Sequence, residues 1–294
     1  MPAPDAPLIV VGLSRDASLS AGRAFLRSAG VDAADEDARA LLLVACGIDR
    51  LALVTAAAAP VSESEAQQYR SLLDRRAAGE PTSRILGRRA FWTLDLEVRP
   101  GVLDPRPDSE ALVRLALRVG RRHGRAPRRI LDLGCGSGAL LCAVLDEFAD
   151  AHGVGVDLSD EACAATRANL AACDFGGRAA VFRGRWSAAL VGPFDLIVSN
   201  PPYIRAGDIA GLDREVRDHD PRLALDGGPD GLDAYRELFA GAPDILGRDG
   251  VIAVEFGSGQ AGDVELLANG RGLQKIDAEQ DITGRPRASA FAIT

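Results

Sequence analysis

Ile130-Leu131-Asp132-Leu133-Gly134-Cys135-Gly136-Ser137-Gly138 sets three glycines between an apolar run of strand length and a second apolar run over residues 139–148. Lacking a Cβ, glycine lets the chain turn tightly and bring its backbone up to a ligand. A strand, a glycine turn and a helix in that order therefore read as the ligand-binding corner of an α/β sheet. The next strand-like run, residues 153–156, ends at Asp157, where an acidic side chain can accept hydrogen bonds from ribose hydroxyls. Working outward, strand-like runs at 130–133, 153–156, 179–182, 196–199, 251–255, 273–277 and 288–293 alternate with helical stretches at 139–148, 160–172, 232–246 and 260–268. Such alternation predicts an α/β domain with a parallel sheet and crossover helices.

The glycine spacing narrows the ligand. It is G-x-G-x-G, and Ala139 stands where a dinucleotide loop carries its last glycine, so a pyrophosphate on the helix N-terminus is disfavoured. Asp132, at the end of the first strand, adds a carboxylate able to hold a cationic amino group directly or through water. An adenosine that bears an amino acid meets both demands, which means S-adenosylmethionine.

Ser199-Asn200-Pro201-Pro202-Tyr203 follows the strand-like run that ends at Ser199, at the sheet edge where α/β ligands bind. Two successive prolines fix φ and donate no backbone hydrogen bonds, leaving stiff outward-facing carbonyls. An amide nitrogen is a poor nucleophile because its lone pair is delocalised. Accepting its two N–H hydrogens on the Asn200 side-chain oxygen and the Pro201 carbonyl favours a pyramidal nitrogen with its lone pair aimed at a methyl donor. Tyr203 can stack on the planar target group.

Before residue 84 the pattern is helical. Ser18 or Ser20 can cap a first helix that stops at Gly30, residues 35–46 form a second, and Ser62 with Glu65 has capping-box spacing for a third. Residues 84–98 favour extended structure and read as a β-hairpin bridging two domains, before a proline-rich segment and a helix over 108–119. The expected organisation is a helical domain at 1–83, a hairpin and linker at 84–107, and the α/β domain at 108–294.

Composition removes other classes. At 294 residues and 47% apolar content there is core enough for two domains. The longest uncharged apolar stretches, 40–48 and 51–60, are too short to span a bilayer. The apolar patch at 8–11 has no basic residue before it, which argues against a secretory leader and for the cytoplasm. Five cysteines without a C-x-x-C pair read as reduced thiols, and His123, His152 and His219 are too scattered for a metal centre. A net charge of −8 disfavours broad nucleic-acid binding, and the arginine run at 118, 121, 122, 125, 128 and 129 reads as a solvated surface.

With these residues in view, the sequence resembles the HemK-type protein-(glutamine-N5) methyltransferases that modify peptide chain release factors. The resemblance runs over nearly the whole chain. Beyond the two motifs it includes residues 79–87, Phe91-Trp92, residues 102–110, Asp220-Pro221, residues 225–228 and Glu255-Phe256-Gly257. It implies a class I S-adenosylmethionine-dependent methyltransferase fold, a Rossmann-like seven-stranded sheet with a small N-terminal helical domain joined by a β-hairpin. The implied cofactor contacts are Gly134, Cys135, Gly136, Ser137, Gly138, Asp157, Trp186 and Asn200. The implied substrate contacts are Asn200, Pro201, Pro202 and Tyr203, with Asn200, Pro201 and Tyr203 catalytic. The substrate would be the glutamine of the Gly-Gly-Gln motif in bacterial class 1 release factors, with the helical domain gripping that partner and the enzyme acting as a monomer. A ribosomal-protein glutamine, a nucleic-acid amino group and a pocket without turnover are the competing readings. Arg185 stands where the family carries an acidic residue, and arginine cannot accept a hydrogen bond from the adenine amino group.

Overall fold

The computed structural model describes residues 11–293, so most of the stretch read for a leader lies outside the described residues. The chain divides into two compact units, Met1–Gly87 and Arg88–Thr294.

The first unit is built from α1 (Arg15–Ser28), α2 (Ala34–Cys46), α3 (Arg50–Thr55), α4 (Glu63–Ala77) and α5 (Thr82–Leu86). Its first helix is capped by Ser14, whose hydroxyl accepts from the Ala17 amide, rather than by Ser18 or Ser20. Ser18 is fully buried on the inward face of that helix, which is why it is not the boundary. The capping box of Ser62 and Glu65 forms in both directions, and Gly47 ends α2 in the left-handed conformation. Two short helices were not anticipated: α3, capped by the Asp49 side chain, and α5, which occupies residues read as the start of the hairpin. Leu26, Leu41, Leu42 and Leu73 form the core with Tyr69, whose hydroxyl donates to the Ala38 carbonyl at 3.0 Å. A buried ion pair, Arg76 Nε to Asp37 at 2.6 Å, ties α4 to α2.

The second unit opens with the hairpin β1 (Arg88–Phe91) and β2 (Leu94–Glu97). Expected as a bridge, the hairpin instead buries Phe91 and Leu96 in the same core as Leu112 and Leu141. Asn169 fixes its second strand, accepting from the Glu97 amide at 2.8 Å and donating to the Glu97 carbonyl at 3.1 Å. A 3-10 turn at Pro107–Ser109 then leads into α6 (Glu110–Gly120).

The remaining elements are β3 (Arg129–Leu133), α7 (Ala139–Glu147), β4 (His152–Asp157), α8 (Asp160–Ala172), β5 (Ala179–Arg183), β6 (Phe194–Ser199), α9 (Arg214–His219), α10 (Arg222–Leu225), α11 (Asp233–Ile245), β7 (Leu246–Glu255), α12 (Ala261–Asn269), β8 (Leu273–Gln280) and β9 (Pro286–Ile293). All seven strands read from the sequence are present, in the order β5-β4-β3-β6-β7-β9-β8. Strands β3 to β7 pair in parallel, while β9 runs antiparallel to both β7 and β8. β7 starts at Leu246 rather than at 251 because Leu246 pairs with Phe194 across a register shift.

The strand order reverses between β3 and β6. From β3 the chain builds outward through β4 and β5, then returns to lay β6 on the other side of β3. Connections leaving the C-terminal ends of these two strands diverge to opposite faces, and the crevice between them is where open α/β sheets bind ligands. Asp132 and Val198 are register partners across this point, so the glycine loop and the Asn-Pro-Pro loop leave the sheet side by side.

Candidate functional site

A cavity of about 720 Å³ lies over this edge, and its walls include Gly134, Gly136, Asp157, Trp186, Asn200 and Pro202. Both sequence motifs therefore open into one space. The Ser199 hydroxyl stitches them together, donating to the Leu133 carbonyl at 2.6 Å.

The glycine loop is held by its own backbone. Gly134, Gly136 and Gly138 have φ of 76°, 55° and 81°, a region that L side chains rarely adopt. The amides of Gly134 and Cys135 both donate to the Val156 carbonyl, at 2.8 and 3.0 Å. Asp157 braces the turn: one carboxylate oxygen accepts from the Gly136 amide and the other from the Ser159 amide, each at 2.9 Å. Each oxygen keeps a further lone pair for a ligand. Gly138 packs on α8, and a Cβ there would sit 3.1 Å from the Thr166 Cα.

Cys135, Ser137 and Gly138 are not among the cavity walls. The Cys135 side chain is buried against Gly155, whose missing Cβ makes room for it, with its sulfur 3.3 Å from the Thr166 hydroxyl, which donates its proton to the Gly136 carbonyl at 2.9 Å. Burial pushes that thiol well above its ordinary range, so it is a packing residue and not a nucleophile. The Ser137 carbonyl accepts from Asn169.

Asp132 differs from every other acid near the site. It is fully buried and neither carboxylate oxygen has a hydrogen-bond partner. Burial, followed by the charge of Asp157, pushes it up to about 8. An unpartnered buried carboxyl costs on the order of 1–3 kcal/mol or more, a cost that an ammonium or an ordered water at this edge would offset.

Trp186 holds a φ of 47°, uncommon for a bulky residue, and its ring faces the glycine loop, 3.5 Å from where a Gly134 Cβ would lie. Arg185 pairs with Glu237 of α11 through two hydrogen bonds, at 2.7 and 2.5 Å. Glu237 is a cavity wall that the sequence reading missed, and it restores a carboxylate beside Trp186. Arg185 holds that carboxyl below its usual range. No local signal announces Glu237, because α11 is separated from the Trp186 loop by the whole of β6 and the loop after it.

On the other side, Asn200 and Pro202 face the cavity, whereas Pro201 and Tyr203 are not among its walls. Asn200 Nδ2 donates to the Ser109 hydroxyl at 3.1 Å. Tyr203 sits under Arg287, whose guanidinium carbon lies 6.0 Å from the ring centre, and its hydroxyl is 3.5 Å from Glu255 Oε1. Burial pushes the phenol up to about 12, so it stays protonated at neutral pH. Glu255, at the end of β7, is pushed up to about 7 by burial, against the pull of the Ser109 hydroxyl and Arg287. Arg287 also pairs with Asp108. Ser109, Glu255 and Arg287 were not named as site residues from the sequence, although residues 102–110 and Glu255 carried the family resemblance.

The arginine run is partly engaged within the protein: Arg118 pairs with Asp277 at 2.7 Å and Glu279 at 2.6 Å, and Arg121 with Glu147 at 3.5 Å. Among the described residues no helix is long and apolar enough to cross a membrane, and no group of three His, Cys, Asp or Glu side chains could hold a metal ion.

Comparison with known proteins agrees with this layout. Residues 17–87 match the PrmC N-terminal domain, and residues 114–214 match the Methyltransferase small domain. The release factor glutamine methyltransferase of Bradyrhizobium diazoefficiens is 46% identical over 90% of this chain and 89% of its own length. That of Rhodospirillum rubrum is 46% identical over 89% of this chain and 80% of its own. Among solved structures, a methyltransferase from Pyrococcus furiosus superimposes with a TM-score of 0.51 at 18% identity, covering 76% of this chain and 96% of its own, which speaks to the fold alone. Taken with the two loops that share one cavity at the sheet's switch point, the curated relatives settle the classification: the chain belongs to the release factor glutamine methyltransferase family.

Proposed function

We propose that this chain transfers a methyl group from S-adenosylmethionine to the side-chain nitrogen N5 of the glutamine in the Gly-Gly-Gln motif of class 1 peptide chain release factors. The observation that carries this reading is the single cavity into which both the glycine loop and Asn200 open.

The residues present fit the donor. Gly134 and Gly136 admit a ligand against bare backbone, Asp157 offers ribose its remaining lone pairs, and the ring of Trp186 offers a face for adenine. The unpartnered carboxyl of Asp132 lies behind the cavity walls rather than on them and suits a cationic amino group reached through water. When bound, S-adenosylmethionine supplies a methyl group on a cationic sulfur that leaves readily. The loop after β6 then acts on the acceptor. Asn200 Oδ1 and the Pro201 carbonyl accept the two N–H hydrogens of the glutamine amide, turning its lone pair toward the donor. Pro202 stiffens the loop so that this orientation needs no reorganisation. As the N–C bond forms, the S–C bond of the donor breaks and its electron pair stays on sulfur as the neutral thioether. The proton shed by the amide nitrogen leaves to solvent after transfer. Tyr203, neutral because of its high pKa, is not asked to act as a base and packs the loop from behind.

The proposal extends to a protein rather than a nucleic-acid partner. Net charge is −8, and Arg118 and Arg121 are engaged in ion pairs rather than offered to phosphates. It also extends to a monomer acting in the cytoplasm, with the helical unit gripping the release factor. Mass analysis of release-factor peptides after incubation with enzyme and donor tests the central claim. A methyl on the Gly-Gly-Gln glutamine is the expected result, and an unmodified glutamine alongside measurable donor binding would sink it.

A further inference from the structure

We propose that Ser109 is a positioning residue that fixes which way the Asn200 amide faces, holding its NH2 group so that Oδ1 is presented to the acceptor glutamine. This rests on the function proposed above and deepens it.

An asparagine side chain is nearly isosteric about its amide, and only one of its two orientations can accept an N–H hydrogen from a substrate amide. In the other, donor faces donor and the acceptor nitrogen is repelled. The choice therefore has to be made by the protein. The observed contact makes it: Asn200 Nδ2 donates to Ser109 Oγ at 3.1 Å, which leaves Oδ1 for the cavity that Asn200 lines.

A hydroxyl alone would be ambivalent, since it can donate or accept. Its surroundings favour one of the two. Ser109 is 5% exposed, so water does not compete for its proton, and it stabilises the charged form of the Glu255 carboxyl. Where Glu255 is ionised it can only accept, which draws the Ser109 proton toward it and leaves the hydroxyl's lone pairs for Asn200, so the orientation should be held most firmly above about pH 7. The turn that carries Ser109 is itself pinned. Pro107 opens it, and Asp108 pairs with Arg287 of β9. Sequence separation hides this arrangement, because Ser109 and Asn200 lie 91 residues apart.

The test is a double-mutant cycle on release-factor methylation, with donor affinity measured by calorimetry on each protein. Ser109→Ala should lower kcat about tenfold, with donor affinity within twofold of the parent. Asn200→Ala should lower it further, and the double variant should match Asn200→Ala alone within about twofold, because Ser109 acts only through Asn200. A purely structural role would make the two losses multiply. Ser109→Cys, a near-isosteric change to a poor hydrogen-bonding partner, carries the same expectation and substitutes if the alanine variant fails to fold. A kcat within twofold of the parent in either serine variant, or multiplicative losses, overturns the positioning role. A parent that binds donor but leaves the glutamine unmethylated sinks the proposed function and this inference together, so the two failures are told apart.

Discussion

The two sides of the cavity are stabilised in opposite ways. On the β3–β4 side the glycine loop is closed by its own neighbours: Val156, Asp157 and Thr166 take up its polar groups, and the one acid left unpartnered is Asp132. On the β6–β7 side Asn200 and Tyr203 depend on groups from far along the chain, with Ser109 and Asp108 before the sheet begins and Glu255 and Arg287 near its end. The first side is a preformed receptacle with one polar demand left open. The second is a loop aimed by a polar network.

The contrast can be broken at several points. Asn200→Ala removes the aimed acceptor and should lower turnover by about a hundredfold, or ~2.7 kcal/mol, with donor affinity unchanged in calorimetry. Equal loss of both would mean that the two sides are one unit. Gly138→Ala attacks the receptacle. Its φ of 81° and its approach to the Thr166 backbone predict a loss of roughly 2 kcal/mol in denaturant unfolding, together with weaker donor binding. A stability equal to the parent would show that the loop is not held as described.

Asp132→Asn should weaken donor binding about tenfold, or ~1.4 kcal/mol, by removing the buried carboxyl that can ionise against the ammonium of a bound donor. It should also change how stability depends on pH. Asp132 is raised from 3.8 to about 8, so between those values the unfolded chain is ionised while the folded protein still holds its proton. The folded state binds more protons, and ligand-free stability must fall as pH rises through that window, levelling off above about 8. Glu255, raised from 4.5 to about 7, adds to the same slope. Melting temperatures between pH 4 and 8 should fall for the parent and fall less for Asp132→Asn. Identical slopes would contradict the burial of an unpartnered carboxyl.

The smallest effect belongs to Arg185→Ala. Its pair with Glu237 is largely exposed, 62% for the arginine side chain, and solvent screens such pairs so that they contribute little. Donor KM should move by less than threefold, and a larger shift would make Arg185 part of the receptacle.

How much of this was legible beforehand follows the same division. The glycine loop, Asp132 and Asp157 could be read because strand, turn and helix follow one another within 30 residues, so local conformational demands write themselves into local sequence. The Asn200-Pro201-Pro202-Tyr203 loop was legible as chemistry, but its supports were not. The misplaced first cap has a similar cause: Ser14 and Ser18 are both good capping residues, and burial of the helix face decides between them. Arg185 read alone looked like a lost acceptor, and only the approach of α11 brings Glu237 to it.

By itself the sequence determined the seven strands, their alternation with helices, the glycine corner and the amide-handling loop, because each rests on backbone freedom or periodicity within one element. Only the tertiary structure decided which carboxyl is left unpartnered, which residues turn Asn200, and that the hairpin belongs to the larger unit. Those outcomes depend on which distant side chains are desolvated together. Desolvation is a property of the packed sheet edge, set when β6 returns beside β3 and β7 and β9 bring Glu255 and Arg287 to the loop, and no single segment carries it.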